Sequence, residues 1–396
     1  MDRWDVAVVG GGVAGSTTAA LLARGGLQVL LLEKGRMPRD KVCGEFLSPD
    51  GADVLQRVGV WPQVRALCSP PIRALTLSAA GRLIQCPLPQ AGWGISRRTL
   101  DRLLWEHAQQ MGAVAWDRSP VTGIEGDASQ GFWLTLQPPG RPPHQLHARA
   151  VIAAAGRHWR RPGVPRGGSD GLHRRFIGFR AHFQQVRLEQ CIELHAVPAG
   201  YCGVVQVEGG LTNLCFLIRA TALRQAGGTL DRLYASMVAS NPHLQARMRN
   251  ARRLDPRWTA VGFSYRTRPT PVDAGIWQVG DSAAMIAPLT GDGMGMALCG
   301  AELAAQTSLA ALHGGCSWQH ATAAYARRWR HEFAPRLRWG RRLETILLRP
   351  SLASLMCRLL KVAPSLTALM YRRTRRIRPP ARGGAPGGSS AEERSR

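Results

Sequence analysis

The stretch DVAVVGGGVAGSTTAALLARGGLQVLLLE, Asp5 to Glu33, decides the fold. Asp5 to Val9 is a short β-branched run, Gly10 to Gly15 a glycine-rich turn, and Ser16 to Arg24 an Ala/Leu-rich helix. Gly25 and Gly26 stop that helix, and Val29 to Leu32 form a second apolar strand ending at Glu33. The whole is a β-α-β unit of about thirty residues, the context in which G-x-G-x-x-G marks dinucleotide binding. Gly10 permits the turn, Gly12 lets the backbone approach a diphosphate, and Gly15 lets helix and strand pack closely. The free N–H groups at Val13 and Ala14, at the positive end of the helix, face the diphosphate. Glu33, followed by Lys34, stands where a carboxylate accepts hydrogen bonds from a ribose, which favours an adenosine without a 2′-phosphate.

That motif alone does not separate FAD from NAD. A second glycine-rich element, GDSAAMIAPLTGDGMGMALCG at Gly280 to Gly300, does. Thr259 to Ser264 and Ile276 to Val279 read as strands, and the second runs into Gly280-Asp281. Pro288 precedes a loop with Gly291, Gly293 and Gly295, and Met296 to Ala305 read as a helix. Asp281 suits ribityl hydroxyls, and the N–H groups near Gly293 and Met294 suit negative charge on the N1/O2 edge of a reduced isoalloxazine. FAD is long enough to use both elements, its adenosine at the first and its ring at the second.

Composition sets the outer bounds. The 396 residues are 45% apolar, enough for one large core or two coupled ones. Lys and Arg outnumber Asp and Glu by 52 to 26, and the net charge of +26 should draw polyanions: anionic lipid, nucleic acid or acidic substrates. Much of the excess falls in two bursts, Arg327 to Arg342 and Arg372 to Arg378. The basic residues match no nucleic-acid-binding fold and lack interleaved stacking aromatics, which argues against a nucleic-acid partner. The nine cysteines form no C-x-x-C pair and no zinc-ligand cluster, so no metal is expected and most pack as reduced thiols. The N-terminus lacks the regions of a signal peptide, and no segment reaches the ~18 apolar residues of a membrane span. The expected location is cytoplasmic, with room for peripheral contact at the inner membrane surface.

The chain resembles the FAD-dependent enzymes with the p-hydroxybenzoate hydroxylase fold, and within them the geranylgeranyl-reductase-like branch. The resemblance rests on GGGVAGS with Glu33, DKVCGEFLSPDG, ISRRTLDRLLWEHA, VIAAAGR and GDSAAMIAPLTGDGMGMAL, in family order from about residue 6 to 305. It implies that Arg97 lies beside the FAD phosphate and ribityl region, with Asp101 following on the same helix. It further implies that Asp281 binds the ribityl chain, that Pro288, Gly291, Gly293 and Met294 form the loop under the flavin, and that Cys43, Gly44 and Glu45 lie near the ring. Cys43 is thereby the one thiol with a functional reading. Ala154-Ala155-Gly156-Arg157 stands where the family carries A-D-G or A-S-G. Gly200 to Gln206 keeps a tyrosine, Tyr201, but loses the tryptophan and proline of the reductases' Y-x-W-x-F-P, and the halogenases' W-x-W-x-I-P is absent.

The expected fold is α/β: a Rossmann-like FAD-binding domain with an inserted antiparallel-sheet substrate domain and a C-terminal helical region. The FAD-binding part takes residues 1–71, 96–175 and 259–320, and alternating apolar and polar residues place the sheet at 72–95 and 176–258. Basic helices follow at 321–378 and a disordered tail at 379–396. In the sheet, Arg180, His182, His195 and Tyr201 are the polar candidates for a pocket, with Cys43 and Tyr201 the catalytic pair. Leu352, Leu355, Met356, Leu359 and Leu360 repeat at helical spacing beside Arg358 and Lys361. They form either a helix packed on the sheet or a basic amphipathic helix on anionic membrane. The expected activity is oxidoreduction of a lipophilic small molecule, with NADPH or NADH reducing FAD. Hydroxylation of an aromatic, quinol or polyketide through a C4a-hydroperoxyflavin is the first reading. Reduction of polyprenyl double bonds, with Cys43 or Tyr201 as proton donor, is the second.

Overall fold

A computed structural model describes residues 3–157, 159–162, 176–263, 269–363 and 365–376. The tail expected at 379–396 and Arg378 lie outside the described residues.

Two sheets organise the chain. In the first, parallel strands lie in the spatial order Ile276–Gln278, His144–Ala153, Arg3–Val9, Val29–Leu32 and Val114–Trp116. Both faces are covered, so Val6, Ala7, Val8, Leu30 and Leu31 are fully buried and the strands read as continuous apolar runs rather than alternating ones. Helix Val13–Arg24 packs on one face with Arg97–Gln110, Gly293–Leu312 and Trp318–Leu347. The hairpin of Val121–Asp127 and Gly131–Leu136 covers the other. The glycine turn joins the strand at Val9 to the helix at Val13. Gly10 has φ +117°, and a Cβ there would run into the Ala154 carbonyl, while one at Gly15 would run into Gly10 itself. Only glycine fits at either position.

The second sheet is largely antiparallel and runs Phe176–Gln184, Thr212–Arg219, Gly200–Gln206, Cys191–Val197, Ile72–Ala79, Arg82–Gly94. Ile72–Ala79 alone joins in parallel, to Cys191–Val197. Thr259–Phe263, grouped with the nucleotide part in the sequence, pairs antiparallel with Phe176–Arg180 and extends this sheet. Its alternation of apolar and polar residues is the same in either sheet, so only the pairing decides.

The outer face of the second sheet carries Phe179, Phe183, Val204, Leu214 and Phe216 under short helices between Ala220 and Met248. Its inner face turns towards the nucleotide-binding half. Helix Pro350–Val362 lies across the hairpin Ile72–Gly94, burying Ala353, Cys357 and Leu360 against Leu77, Ala79 and Ile84. The apolar repeat is thereby split: one side packs, and Leu355, Leu359 and Val362 face outwards, Val362 at 85% exposure. No single helix among the described residues is long and apolar enough to cross a membrane.

Candidate active site

Glu33 is buried beneath the glycine turn. One carboxylate oxygen accepts from the Gly11 amide and the other from the Gly35 amide, each at 3.0 Å, and Arg39 lies 3.3 Å away. A carboxylate has about four acceptor sites, so the oxygen that accepts from Gly11 keeps capacity for a ribose hydroxyl. Lys34, its neighbour, is exposed.

A different lysine stands over the glycine turn. A Cβ on Gly12 would lie 2.9 Å from Lys41 Nζ, with Arg97 and Asp101 next beyond. Asp101, fully buried on helix Arg97–Gln110, accepts from Lys41 Nζ at 2.7 Å and from Arg97 at 2.9 and 3.0 Å. Two cations on one carboxylate leave a net positive charge beside the bare turn, where a diphosphate needs it. Burial pulls the Lys41 ammonium below the usual lysine range, against the pull of Asp101. Burial opposes ionisation of Asp101 too, but Arg97 and Lys41 prevail and hold it below the usual carboxylate range. The arginine and aspartate were legible from I-S-R-x-x-L-D. Lys41 lies two residues before Cys43 in DKVCGEFLSPDG, but nothing in the sequence marks it apart from the chain's other basic residues.

Asp281 occupies the short turn Gly280–Ser282, and Gly280 approaches Ala14 of the first helix. Ser282 Oγ accepts from the Gly156 amide at 2.9 Å, tying this turn to the Ala154-Ala155-Gly156 segment. Among the described residues, the Asp281 carboxylate has no hydrogen-bond partner. Burial raises its pKa, against Arg157, Arg97 and Lys41. Pro288–Thr290 forms the next turn, and Gly291 takes φ +64°. Helix Gly293–Leu312 then starts, and added Cβ atoms on Gly293 and on Gly44 would each meet nothing within 4 Å. Open space therefore fronts both residues expected beside a flavin.

Cys43 sits where the two halves of the molecule meet. Asn213 Nδ2 of the second sheet donates to its carbonyl at 3.0 Å, and its sulfur accepts from the Glu45 amide at 3.3 Å. Burial pushes the thiol pKa up, against the nearby Arg97 guanidinium, so the group is a neutral thiol. Glu45, fully buried with φ +57°, accepts from the Arg97 amide at 3.0 Å and from His182 Nε2 at 2.7 Å. Arg180 Nη1 lies 2.8 Å from His182 Nδ1. Arg180 also binds Asp40 at 2.7 Å. Arg180, His182 and Asn213 thus clamp the 40–45 segment from the sheet.

The other two sheet candidates lie elsewhere. His195 points to the outer face, where its Nε2 meets Glu193 at 3.0 Å and Arg247 binds the same carboxylate. Its strand parity, opposite to that of Leu194, takes it out of the pocket. Tyr201 is on the inner face, but its hydroxyl donates to Glu344 at 2.9 Å and accepts from the Leu289 amide at 3.1 Å. Val205, paired with Asn213, is four residues along that strand, so Tyr201 lies roughly 13 Å from the residues holding Cys43. The tyrosine anchors the flavin loop and the long helix to the sheet, and the two do not converge on one atom.

A cradle open only to a glycine, a cationic pair beside it, an unpartnered aspartate and a bare helix start fit the diphosphate, ribityl chain and ring of FAD. The class is thus an FAD-dependent oxidoreductase; Glu33, Lys41 and Arg97 could hold the adenosine diphosphate half, and Asp281 with the Gly291–Met294 loop the flavin half. The chain belongs to the FAD binding domain family, whose profile matches residues 3–336. It is 26% identical over 356 residues to digeranylgeranylglycerophospholipid reductase 2 of Methanopyrus kandleri, covering 85% of each chain. The fold is similar to that of the flavin-dependent brominase Bmp2, with TM-score 0.79 at 18% identity over 94% of this chain and 93% of that one. A geranylgeranyl bacteriochlorophyll reductase-like protein from Thermoplasma acidophilum gives TM-score 0.72 at 19% identity, over 94% and 100%.

Proposed function

We propose that the protein reduces a carbon–carbon double bond in a lipophilic, polyprenyl-type substrate, with NADPH or NADH as the source of electrons. The observation that carries this reading is the neutral Cys43 thiol, held beside open space at the meeting of the two halves. Bound FAD supplies the hydride chemistry. Cys43 Sγ then donates a proton to the carbon that does not receive hydride, Arg97 steadies the thiolate left behind, and solvent restores the proton. The balance is one alkene, one reduced nicotinamide and one proton to one saturated bond and one oxidised nicotinamide. Asn213, Glu45 and His182 hold the 43–45 backbone in place for this step. The similarity to the Methanopyrus kandleri reductase supports the same reading.

The second reading is hydroxylation of an aromatic, quinol or polyketide, favoured by the missing tryptophan and proline in Gly200–Gln206. One experiment separates them. Holoprotein, NADPH and a geranylgeranyl lipid are incubated without oxygen, and in parallel a phenolic lipid is incubated under ¹⁸O₂. Product gaining two hydrogens without oxygen, lost in Cys43→Ala, is the expected result. Product carrying ¹⁸O, with Cys43→Ala fully active, refutes the reductase.

A lipophilic substrate goes with a second proposal, that the outer face of the C-terminal helices rests on anionic lipid. Leu355, Leu359, Val362 and Leu369 are exposed there, flanked by exposed Arg358, Lys361, Arg372 and Arg373, so that apolar insertion and charge attraction act together. Leu355→Asn with Leu359→Asn should abolish flotation with phosphatidylglycerol vesicles while FAD content stays unchanged. Undiminished flotation would refute the contact.

A further inference from the structure

Behind the flavin loop, two carboxylates with no part in the chemistry above are buried together. Asp292, fully buried, is the residue just before helix Gly293–Leu312, and Asp50 lies in the first turn of helix Pro49–Val58. Ser48 Oγ lies between them, 2.5 Å from Asp50 Oδ1 and 2.9 Å from Asp292 Oδ1. A hydroxyl carries one proton and otherwise accepts. It can donate to one of these oxygens, so the other contact is a hydrogen bond only if that carboxyl brings its own proton. The crowding is built in: a Cβ on Gly295 would lie 2.9 Å from Asp50 Oδ1 and closer still to Ser48 and Asp292.

The surrounding charges point the same way. Arg336 reaches both carboxylates, at 3.3 Å from Asp50 and 3.6 Å from Asp292, but it also binds Glu332 on its own helix. From the C-terminal segment, the Arg376 amide meets Asp50 at 3.4 Å, its guanidinium turns to Glu332, and the Arg375 guanidinium is engaged by the Thr290 carbonyl. Cys299 of the flavin-loop helix and Tyr371 face the cluster as neutral groups, both with pKa raised by burial. Arg336, shared among three carboxylates, and Arg375 both favour ionisation of Asp292, but burial and the neighbouring Asp50 outweigh them, and like charges this close favour one retained proton.

We propose that Asp50 and Asp292 share a single proton at neutral pH, with Arg336 balancing the one charge left on the pair, and so leave no net negative charge at the start of helix Gly293–Leu312. The side chain of Asp292 does not cap its own helix. It turns back to Ser48, leaving the first amides free to face the flavin. A helix start carries roughly half a positive charge, which an ionised aspartate in the preceding position would largely cancel. The shared proton preserves that charge for the electron-rich edge of the reduced ring. Asp292 is thus a positioning residue that acts through the helix. Burial and the neighbouring Asp50 push the Asp292 carboxyl up to about 8, in keeping with the geometry.

The test is the infrared carbonyl band of a protonated carboxylic acid, recorded on apoprotein and holoprotein and compared with Asp292→Asn and Asp50→Asn. Wild type should show the band at pH 6.5 and lose it as the pH rises through about 8. At least one variant should lack it, and in that variant the FAD midpoint potential should lose its extra pH dependence across the same range. Ser48→Ala, which keeps both carboxyls, should shift the band if the substituted aspartates fail to fold. No band in wild type at pH 6.5, or a band unchanged in all three variants, would overturn the proposal, and neither result bears on whether the enzyme reduces or hydroxylates.

Discussion

Replacing Asp101 with asparagine would separate stability from cofactor binding. The carboxylate is fully buried, and Lys41 and Arg97, with side chains 17% and 15% exposed, both depend on it. Removing one charge of such a buried ion pair costs about 3–5 kcal/mol, because the partners are left without compensation. At the size of this chain, each kcal/mol is worth about 2 °C in Tm, so the apoprotein should melt about 6–10 °C lower. Arg97 cannot shed its charge, but Lys41, already below the ordinary lysine range, can. The deficit should therefore narrow at mildly alkaline pH. It should also vanish under acid conditions, for a different reason: a depressed carboxylate stabilises the fold above its unfolded pKa, and that stability is lost as pH falls through the folded value. FAD reverses the picture. The wild-type triad carries one net positive charge and the variant two, facing a diphosphate of two negative charges, so FAD should raise the Tm of Asp101→Asn by more than it raises that of wild type. Differential scanning fluorimetry with and without saturating FAD measures both increments. An apoprotein deficit below about 2 °C, or equal FAD increments in the two proteins, would refute the account of this cluster.

Other substitutions probe the remaining contacts. Glu33→Ala should weaken FAD by about 1.5–3 kcal/mol through loss of a charge-assisted ribose contact, measured by titrating apoprotein; unchanged affinity would remove Glu33 from the site. Asp281→Ala should purify largely colourless, and a yellow protein with full FAD content would contradict the ribityl role. Tyr201→Phe should lower stability by about 1–3 kcal/mol in urea, since the Leu289 amide loses its acceptor, while kcat falls no more than a few-fold. A collapse of kcat without loss of stability would instead make Tyr201 catalytic.

The sequence exposes what is local. The glycine turn, its flanking strands and Glu33 occupy one contiguous stretch whose geometry only glycine allows, so the nucleotide half could be read directly. Asp281 and the 291–294 loop were equally visible, being a carboxylate at a strand end before a helix start. What depends on pairing between distant segments was hidden. Thr259–Phe263 alternates identically in either sheet, and only its hydrogen bonds to Phe176–Arg180 assign it. His195 and Leu194 differ by one position along a strand, which is the whole difference between outer helices and inner pocket. Lys41 reads as one more basic residue in a strongly basic chain until the fold carries it to Gly12 and Asp101. The Asp50–Ser48–Asp292 cluster joins residues 244 apart, beyond any motif.

Arg375 holds the Thr290 carbonyl of the flavin loop, and the Arg376 amide meets Asp50 near the other end of the chain. The Pro288–Gly291 loop therefore takes one of its contacts from a residue 85 positions further along the chain, and its support is shared with the C-terminal helices. A chain lacking residues 365–376 should therefore keep the glycine turn and hold the Pro288–Gly291 loop less firmly, which amide hydrogen exchange over that loop measures.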